Sequence, residues 1–208
     1  ILVARAVADT PHLVLAGEGA TRFARTLGMP PYDPATDAGR TRAAANLQRL
    51  VAGDPELAQW RDYDWRTHWN YADPPPVPAT GPTSESTDTV GVLVRTADGE
   101  YAGALSTGGV WVTLSGRVGD VGILGAGLFA GPNGAVAATG VGERIIEAGL
   151  ARATYARLGE GAQVAVDAGV TALTPTGDIG LIAISSEGVG SAASRRMAWA
   201  TRAAGGKA

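Results

Sequence analysis

The chain has 208 residues, of which 45% are hydrophobic and 18% charged, enough to bury one substantial core. Its formal net charge is -3 without basic or acidic blocks, which argues against nucleic acid and anionic membranes as partners. Because cysteine is absent and His12 and His68 are the two histidines, disulfides and cysteine chemistry are excluded, and zinc sites or Ser-His-Asp triads are disfavoured. No apolar run approaches the roughly 20 residues of a membrane span, and no signal-peptide pattern is visible. We therefore expect a cytoplasmic protein that uses no cofactor and no metal.

The first third of the chain is predicted to be mainly helical. Residues Ile1–Ala8 have the pattern of a helix end, and Glu18–Leu27 places its apolar residues at helical spacing. Asp37–Leu50 is rich in good helix formers. Between the first two, Pro11–Ala16 is predicted to be a short buried segment.

The character of the sequence changes at Thr89. Residues 74–86 combine prolines, small hydroxyl residues and glycine, which predicts a flexible linker over residues 73–88. Val90–Val94 is apolar without alternation, the pattern of a strand buried on both faces. A turn at Ala97-Asp98-Gly99 then leads into a returning strand, so the sequence predicts a hairpin directly after the linker.

The rest of the chain alternates further strands and helices. Predicted strands occupy Tyr101–Thr107 and Gly108–Leu114, and two more hairpins follow. These are Leu128–Ala138 around Pro132-Asn133-Gly134, and Ile179–Ser185 with Val189–Ala193. Helices are predicted at Val141–Leu158 and Ala162–Leu173. Strands buried on both faces need covering layers, so the prediction is a layered α+β domain with helices outside and antiparallel sheet within.

Thr89 and Thr107 are the first candidate site residues. Opposed residues of an antiparallel hairpin have a constant sum of positions, and a turn near Asp98 places these two threonines opposite or nearly opposite one another. Their side chains would then lie about 5 Å apart at the open end of the hairpin. The same spacing also fits a plain cross-strand threonine pair without catalytic meaning.

A glycine-flanked loop over residues 116–120 supplies opposite charges. Arg117 and Asp120 could receive a zwitterion, with the guanidinium on a carboxylate and the Asp120 carboxylate on an ammonium group. The alternative is a simple loop salt bridge.

Thr139 and Gly140 precede the helix predicted to begin near Glu143. A threonine hydroxyl beside an accessible backbone N–H is a plausible oxyanion hole, although a tight strand-to-helix turn has the same sequence.

The residues Gly125-Ala126-Gly127-Leu128-Phe129-Ala130 match the G-x-G-x-x-A form of a dinucleotide fingerprint. That fingerprint must open a helix and be followed by an acidic residue at the end of the next strand. Here the predicted continuation is a strand, and Glu147 lies inside a predicted helix. Dinucleotide binding is therefore not expected.

Four motifs in order resemble the N-terminal-threonine hydrolase family of plant-type L-asparaginases, isoaspartyl peptidases and glycosylasparaginases. They are Asp88-Thr89-Val90-Gly91, Ser106-Thr107-Gly108-Gly109, Gly116-Arg117-Val118-Gly119-Asp120 and Ala138-Thr139-Gly140-Val141-Gly142. Weaker similarity extends upstream over residues 10–20.

The resemblance implies a precursor that cleaves itself between Asp88 and Thr89, giving one domain made of chains 1–88 and 89–208. Thr89 would then be the nucleophile, and Thr107 would help polarise it. The Thr139 hydroxyl and the Gly140 N–H would hold the oxyanion. Arg117 would bind the α-carboxylate of an aspartyl substrate, and Asp120 its α-ammonium.

The resemblance also implies a four-layer αββα sandwich and a dimer of αβ units. The implied substrates are L-asparagine and β-aspartyl (isoaspartyl) peptides. The alternatives are a glycosylasparaginase, to which the Asp before the nucleophile points, and an inactive family member that serves in binding or structure. The family's opening His-Gly-Gly-type strand and Phe-Asn-Ala-Gly-like segment are not found, nor is the loop that binds sodium in many relatives. Either that start lies outside this sequence, or the fold lacks its N-terminal strand.

Overall fold

A computed structural model describes residues 1–71 and 89–203 and divides them into two compact units. The sandwich unit contains residues 89–107 and 118–203 together with Ile1. The helical unit contains residues 2–71 and 108–117. The predicted linker at 73–88 and the cleavage residue Asp88 lie outside the described residues.

The helical unit contains α1 (Leu2–Ala8), α2 (Gly17–Thr26) and α3 (Asp37–Ala52), which confirms the three predicted helices. Helix α3 starts where the Thr36 hydroxyl accepts a hydrogen bond from the Gly39 N–H at 3.0 Å. It ends at Gly53, whose φ of +74° is the left-handed conformation that suits glycine. The predicted burial of residues 11–16 is wrong, because Leu13 is 83% exposed.

Residues 108–117 do not form the predicted third strand and belong to the helical unit instead. Gly109 has a φ of +84°, so the chain turns immediately after Thr107. Val112 is then buried in an aromatic cluster beside Trp65, and the Asn70 side chain exchanges two 2.9 Å hydrogen bonds with the Ser115 backbone. The apolar residues that suggested a strand are explained by this burial.

The sandwich unit contains two antiparallel sheets. The first pairs β1 (Thr89–Arg95) with β2 (Tyr101–Thr107). The second has the order β3–β4–β5–β6, and its strands are Leu128–Gly131, Gly134–Gly140, Ile179–Ser185 and Gly188–Ala193. The three predicted hairpins are thereby confirmed, and the α+β class is as expected.

The core of this unit lies on both faces of the second sheet. One face packs against the β1–β2 sheet, and the other carries α5 (Leu150–Tyr155) and α6 (Ala162–Leu173). Residues Ala135–Ala138 of β4 are at most 4% exposed, and Leu181 of β5 is fully buried. Small side chains on β4 allow the layers above and below to approach closely.

The predicted helix Val141–Leu158 is divided in the structure. Helix α4 (Gly142–Ala148) stops at Gly149, which has a left-handed φ of 53°, and α5 begins at the next residue. No helix within residues 1–71 and 89–203 has the length and apolarity required to cross a membrane.

The prediction that β1 is buried on both faces is wrong. Val90, Val92 and Val94 are 69%, 53% and 48% exposed, because the elements of the sandwich unit pack on the inner face of the β1–β2 sheet and not on its outer face. The inner face packs on the second sheet, with Leu93 partly buried.

Candidate active site

The predicted pairing of Thr89 with Thr107 is confirmed by the register of the first hairpin. The Thr89 hydroxyl donates to the Thr107 hydroxyl across 3.2 Å at the open end of that hairpin. A turn at the other end fixes the register: the Thr96 N–H donates to the Glu100 carbonyl at 2.8 Å, and Gly99 supplies a φ of +86°. Two hydroxyls at this distance can exchange donor and acceptor roles, so either can polarise the other.

The first half of β1 packs against the middle of β4. Gly91 faces the second sheet, where a Cβ would lie 3.8 Å from the Cβ of Ala137 and would collide with the Leu105 side chain. Gly91 is two residues from Thr89, and Ala137 is two residues from Thr139. The threonine pair and the end of β4 thus belong to two strands that pack against one another in the sandwich unit.

Thr139 and Gly140 form the end of β4. Thr139 is half-buried opposite Gly180 of β5, and Gly140 is exposed with a φ of +138°. A side chain at Gly140 would collide with the Asp178 carbonyl oxygen, which accepts the Val141 N–H at 3.0 Å. Glycine is thus required here both by conformation and by space. Its exposed backbone can take part in binding an anion beside the Thr139 hydroxyl.

Asp120 is 8% exposed and begins a short 3₁₀ turn, Asp120–Gly122, that contacts β2, β4 and α4. Its carbonyl accepts hydrogen bonds from the N–H groups of Ile123 and Gly127, each at 3.0 Å. The sequence predicted a glycine-flanked loop over residues 116–120, and the structure places Asp120 at the point where that loop enters a buried turn. A buried carboxylate has a fixed place in the fold, so Asp120 presents its charge from a defined position.

Arg117 is assigned to the helical unit, where its N–H donates to the Leu114 carbonyl at 3.2 Å and its side chain is half-buried. Thr89, Thr107, Thr139, Gly140 and Asp120 all belong to the sandwich unit.

Two residues beside this region were not singled out from the sequence. Asp178 acts through its backbone carbonyl, which any residue could provide, so its identity carried no signal. Met197 places its sulfur over Gly180, where a Cβ would also lie 3.0 Å from the Thr139 methyl group. Gly180 lies opposite Thr139 in the β4–β5 pairing, and its missing side chain leaves the space that the Met197 sulfur occupies.

Residues 1–71 and 89–203 include no cluster of three or more His, Asp or Glu side chains arranged to hold a metal ion. The Gly125–Ala130 motif leads into strand β3, as its sequence context predicted, and not into a helix.

Comparison with known proteins identifies the family. A family model described as Asparaginase matches residues 1–207. The plant-type L-asparaginase of Pyrococcus abyssi is 34% identical over 194 residues, which cover 90% of this chain and 59% of that protein. The isoaspartyl peptidase/L-asparaginase of Mus musculus is 31% identical over 210 residues, covering 96% of this chain and 57% of the mouse protein.

A third relative carries a different printed activity. The N(4)-(beta-N-acetylglucosaminyl)-L-asparaginase of Elizabethkingia miricola is 34% identical over 148 residues, covering 70% of this chain and 36% of that protein. The family resemblance inferred from the motifs is thereby confirmed, and the chain belongs to the asparaginase family. It spans somewhat more than half the length of the plant-type and mouse relatives.

Proposed function

We propose that the chain carries the catalytic threonine of an autoprocessing amidohydrolase that cleaves the side-chain amide of L-asparagine and of β-aspartyl peptides. The observation that carries this proposal is the 3.2 Å hydroxyl pair of Thr89 and Thr107. It lies at the open end of a hairpin, and Thr89 is the first residue of β1. Cleavage before Thr89 would therefore create an N-terminal residue that the pairing of β1 with β2 still holds in place.

The proposed nucleophile needs a base, and the low histidine content of the chain bears on which group serves as that base. A threonine hydroxyl is weakly nucleophilic unless an adjacent group accepts its proton. The α-amino group of a newly formed N-terminus has a typical pKa of about 7.7–8.0, close to working pH. A chain with two histidines among 208 residues fits this arrangement better than a histidine-dependent triad.

Maturation is proposed to use the same hydroxyl. Thr89 Oγ1 attacks the Asp88 carbonyl carbon, the peptide C–N bond breaks, and an ester joins Asp88 to Thr89. Water then hydrolyses the ester, which leaves a carboxylate on Asp88 and a free amine on Thr89. Thr89 is the first residue of β1, which supports the proposal, because a cut before Thr89 keeps the pairing of β1 with β2 from Thr89 onward.

Turnover is proposed to follow a parallel course. Thr89 Oγ1 attacks the side-chain amide carbon, ammonia or an amine leaves with a proton, and water releases aspartate from the ester. The Thr139 hydroxyl and the Gly140 N–H would stabilise the tetrahedral oxyanion. Asp120 would receive the α-ammonium, which its buried position supports, and Arg117 would bind the α-carboxylate, as the resemblance implies.

A glycosylasparaginase activity is the second candidate. It is supported by the similarity to the Elizabethkingia miricola protein and by Asp88 before the nucleophile. The Ser106-Thr107-Gly108-Gly109 motif resembles the asparaginase and isoaspartyl-peptidase branch and favours the first candidate.

We also propose that the fold is the four-layer αββα sandwich of the family. The sandwich unit supplies helices, a four-stranded sheet and a facing two-stranded sheet in that order. The exposed, apolar outer face at Val90, Val92 and Val94 is suited to receive a further helical layer.

Ammonia release from L-asparagine tests the assignment of Thr89. The variant Thr89→Ala is expected to lose activity by roughly a thousandfold or more, because it removes the attacking oxygen. Thr171→Ala is the matched control, since that hydroxyl bonds its own helix at Asp167 on the surface. Retained activity in Thr89→Ala would remove the basis of the proposal, and loss in both variants would point to a general folding defect.

A further inference from the structure

Gly127 joins two parts of the proposed site through its backbone. Its N–H donates to the Asp120 carbonyl at 3.0 Å, and its own carbonyl accepts the Ala138 N–H at 2.8 Å. Ala138 immediately precedes Thr139. One residue thus links the turn that begins with the buried carboxylate to the strand end that carries the proposed oxyanion-binding groups.

There is no space for a side chain at Gly127. A Cβ would lie 2.7 Å from the Asp120 carbonyl oxygen, 2.8 Å from its carbon and 3.0 Å from the Val121 Cα. All three are backbone atoms, which cannot rotate away as a flexible side chain can. Gly127 does not have a positive φ, so space and not backbone conformation is what requires glycine here.

The loop that contains Gly127 is anchored on its other side. The carbonyls of Gly125 and Ala126 accept hydrogen bonds from Arg152 and Ala151, each at 2.9 Å, in the first turn of α5. Ala126 is 2% exposed. A side chain at Gly127 would therefore displace the Asp120 turn more readily than its own loop.

From these contacts we propose that Gly127 is a positioning residue that sets the location of the Asp120 carboxylate relative to Thr139 and Gly140. The inference rests on the proposed function in one respect, namely that Asp120 receives the α-ammonium of an aspartyl ligand. It gives the second glycine of the G-x-G-x-x-A motif a role unrelated to nucleotides. Recognition by a fixed carboxylate depends on its placement, and a shift of about 1 Å is enough to lose much of the effect.

The experiment compares two ligands that differ by the ammonium group, L-aspartate and succinate. Their dissociation constants are measured by calorimetry for the wild type, Gly127→Ala, Gly122→Ala and Asp120→Asn. Gly122→Ala is the matched control, because a Cβ there meets only the end of the half-exposed Val118 side chain, at 3.1 Å. Asp120→Asn sets the preference that remains without the carboxylate charge.

The wild type is expected to prefer L-aspartate by roughly ten- to a hundredfold, the range of a hydrogen bond to a charged group. Gly127→Ala should reduce that preference at least fivefold, toward the value of Asp120→Asn, while Gly122→Ala changes it by less than about twofold. Equal weakening of both ligands in Gly127→Ala would overturn the inference, since it would show a general structural role. So would a wild type without preference.

Amide exchange of the wild type tests the same inference if Gly127→Ala does not fold. L-aspartate should slow exchange of the Gly127 N–H more than succinate does, because that N–H is bonded to the residue that holds the ammonium. Identical protection by both ligands would contradict it. A ligand preference as expected together with absent turnover would refute the proposed function and leave the positioning role standing.

Discussion

Strands β1 and β4 have similar sequences and opposite environments. Both are runs of small and apolar residues, and both have a proposed catalytic threonine at or near one end. Residues Ala135–Ala138 of β4 are almost completely buried, whereas Val90 and Val92 of β1 are 69% and 53% exposed. The difference arises because, within the sandwich unit, β4 lies between a facing sheet and helices, while β1 has a facing layer on one side. An apolar run thus shows that a strand can be buried, and the neighbouring layers decide whether it is.

This contrast indicates that burial on the second sheet contributes most of the stability of the sandwich unit. The core on the helical side includes Val136, Ile145, Val166 and Leu181, none of which is exposed. The β1–β2 sheet adds one packed face and provides the threonine pair. The region proposed for chemistry therefore lies at the less buried side of a well-packed support.

The largest effect is expected from Leu181→Ala. Leu181 is fully buried on β5, and its side chain lies against Gly169 of α6, where a Cβ would be 2.6 Å away. Removing three carbons there should lower the free energy of unfolding by about 2–5 kcal/mol, measured by urea denaturation. Leu124→Ala is the control, because Leu124 is 59% exposed in the same unit. Similar costs for the two variants would contradict the assignment of the core.

A smaller effect of opposite sign is expected from Thr154→Val. Thr154 is 2% exposed on α5, and its hydroxyl has no hydrogen-bond partner within the described part of the chain. Replacing an unsatisfied buried hydroxyl by a methyl group of similar size should raise the free energy of unfolding by about 1 kcal/mol. The matched change Thr171→Val removes a surface hydroxyl that donates to the Asp167 carbonyl at 2.8 Å, and it should not stabilise. A loss of stability in Thr154→Val would show that this hydroxyl is bonded in solution.

The smallest effect is expected from Val164→Thr on the exposed side of α6. The two side chains have nearly the same shape, and Val164 is 49% exposed. The free energy of unfolding should change by less than about 0.5 kcal/mol, as for most surface substitutions. A cost above about 1.5 kcal/mol would show that this side of α6 is covered in solution and would contradict the layer order assigned to the sandwich unit.

The sequence allowed the hairpins to be predicted because their signals are local. The turn residues Asp98-Gly99 and Asn133-Gly134 mark the ends, and the constant sum of paired positions then gives the register of Thr89 with Thr107. The candidate site residues were found along the chain because they lie in four short motifs of four or five residues each. Ala162–Leu173 was predicted at its observed bounds, since an apolar periodic segment between glycine and proline has few alternatives.

The errors concern contacts between distant parts of the chain. Burial of Val90 depends on a layer that its own segment does not encode. Val112 has the apolar neighbours of a strand residue but packs beside Trp65. Gly149 divides a continuous helical pattern, because the restarted helix α5 binds the carbonyls of Gly125 and Ala126. Asp120 is likewise buried in a turn whose carbonyl accepts the Gly127 N–H, and the motif at residues 116–120 does not reveal this contact.

The central claim is that Thr89 becomes an N-terminal nucleophile, and the intact mass of the purified protein tests it most directly. The wild type should give two fragments that meet between Asp88 and Thr89, while Thr89→Ala should remain one chain because the attacking hydroxyl is absent. The wild-type fragments should release ammonia from L-asparagine. An uncleaved wild type that is also inactive toward L-asparagine, or cleavage that persists in Thr89→Ala, would contradict the account.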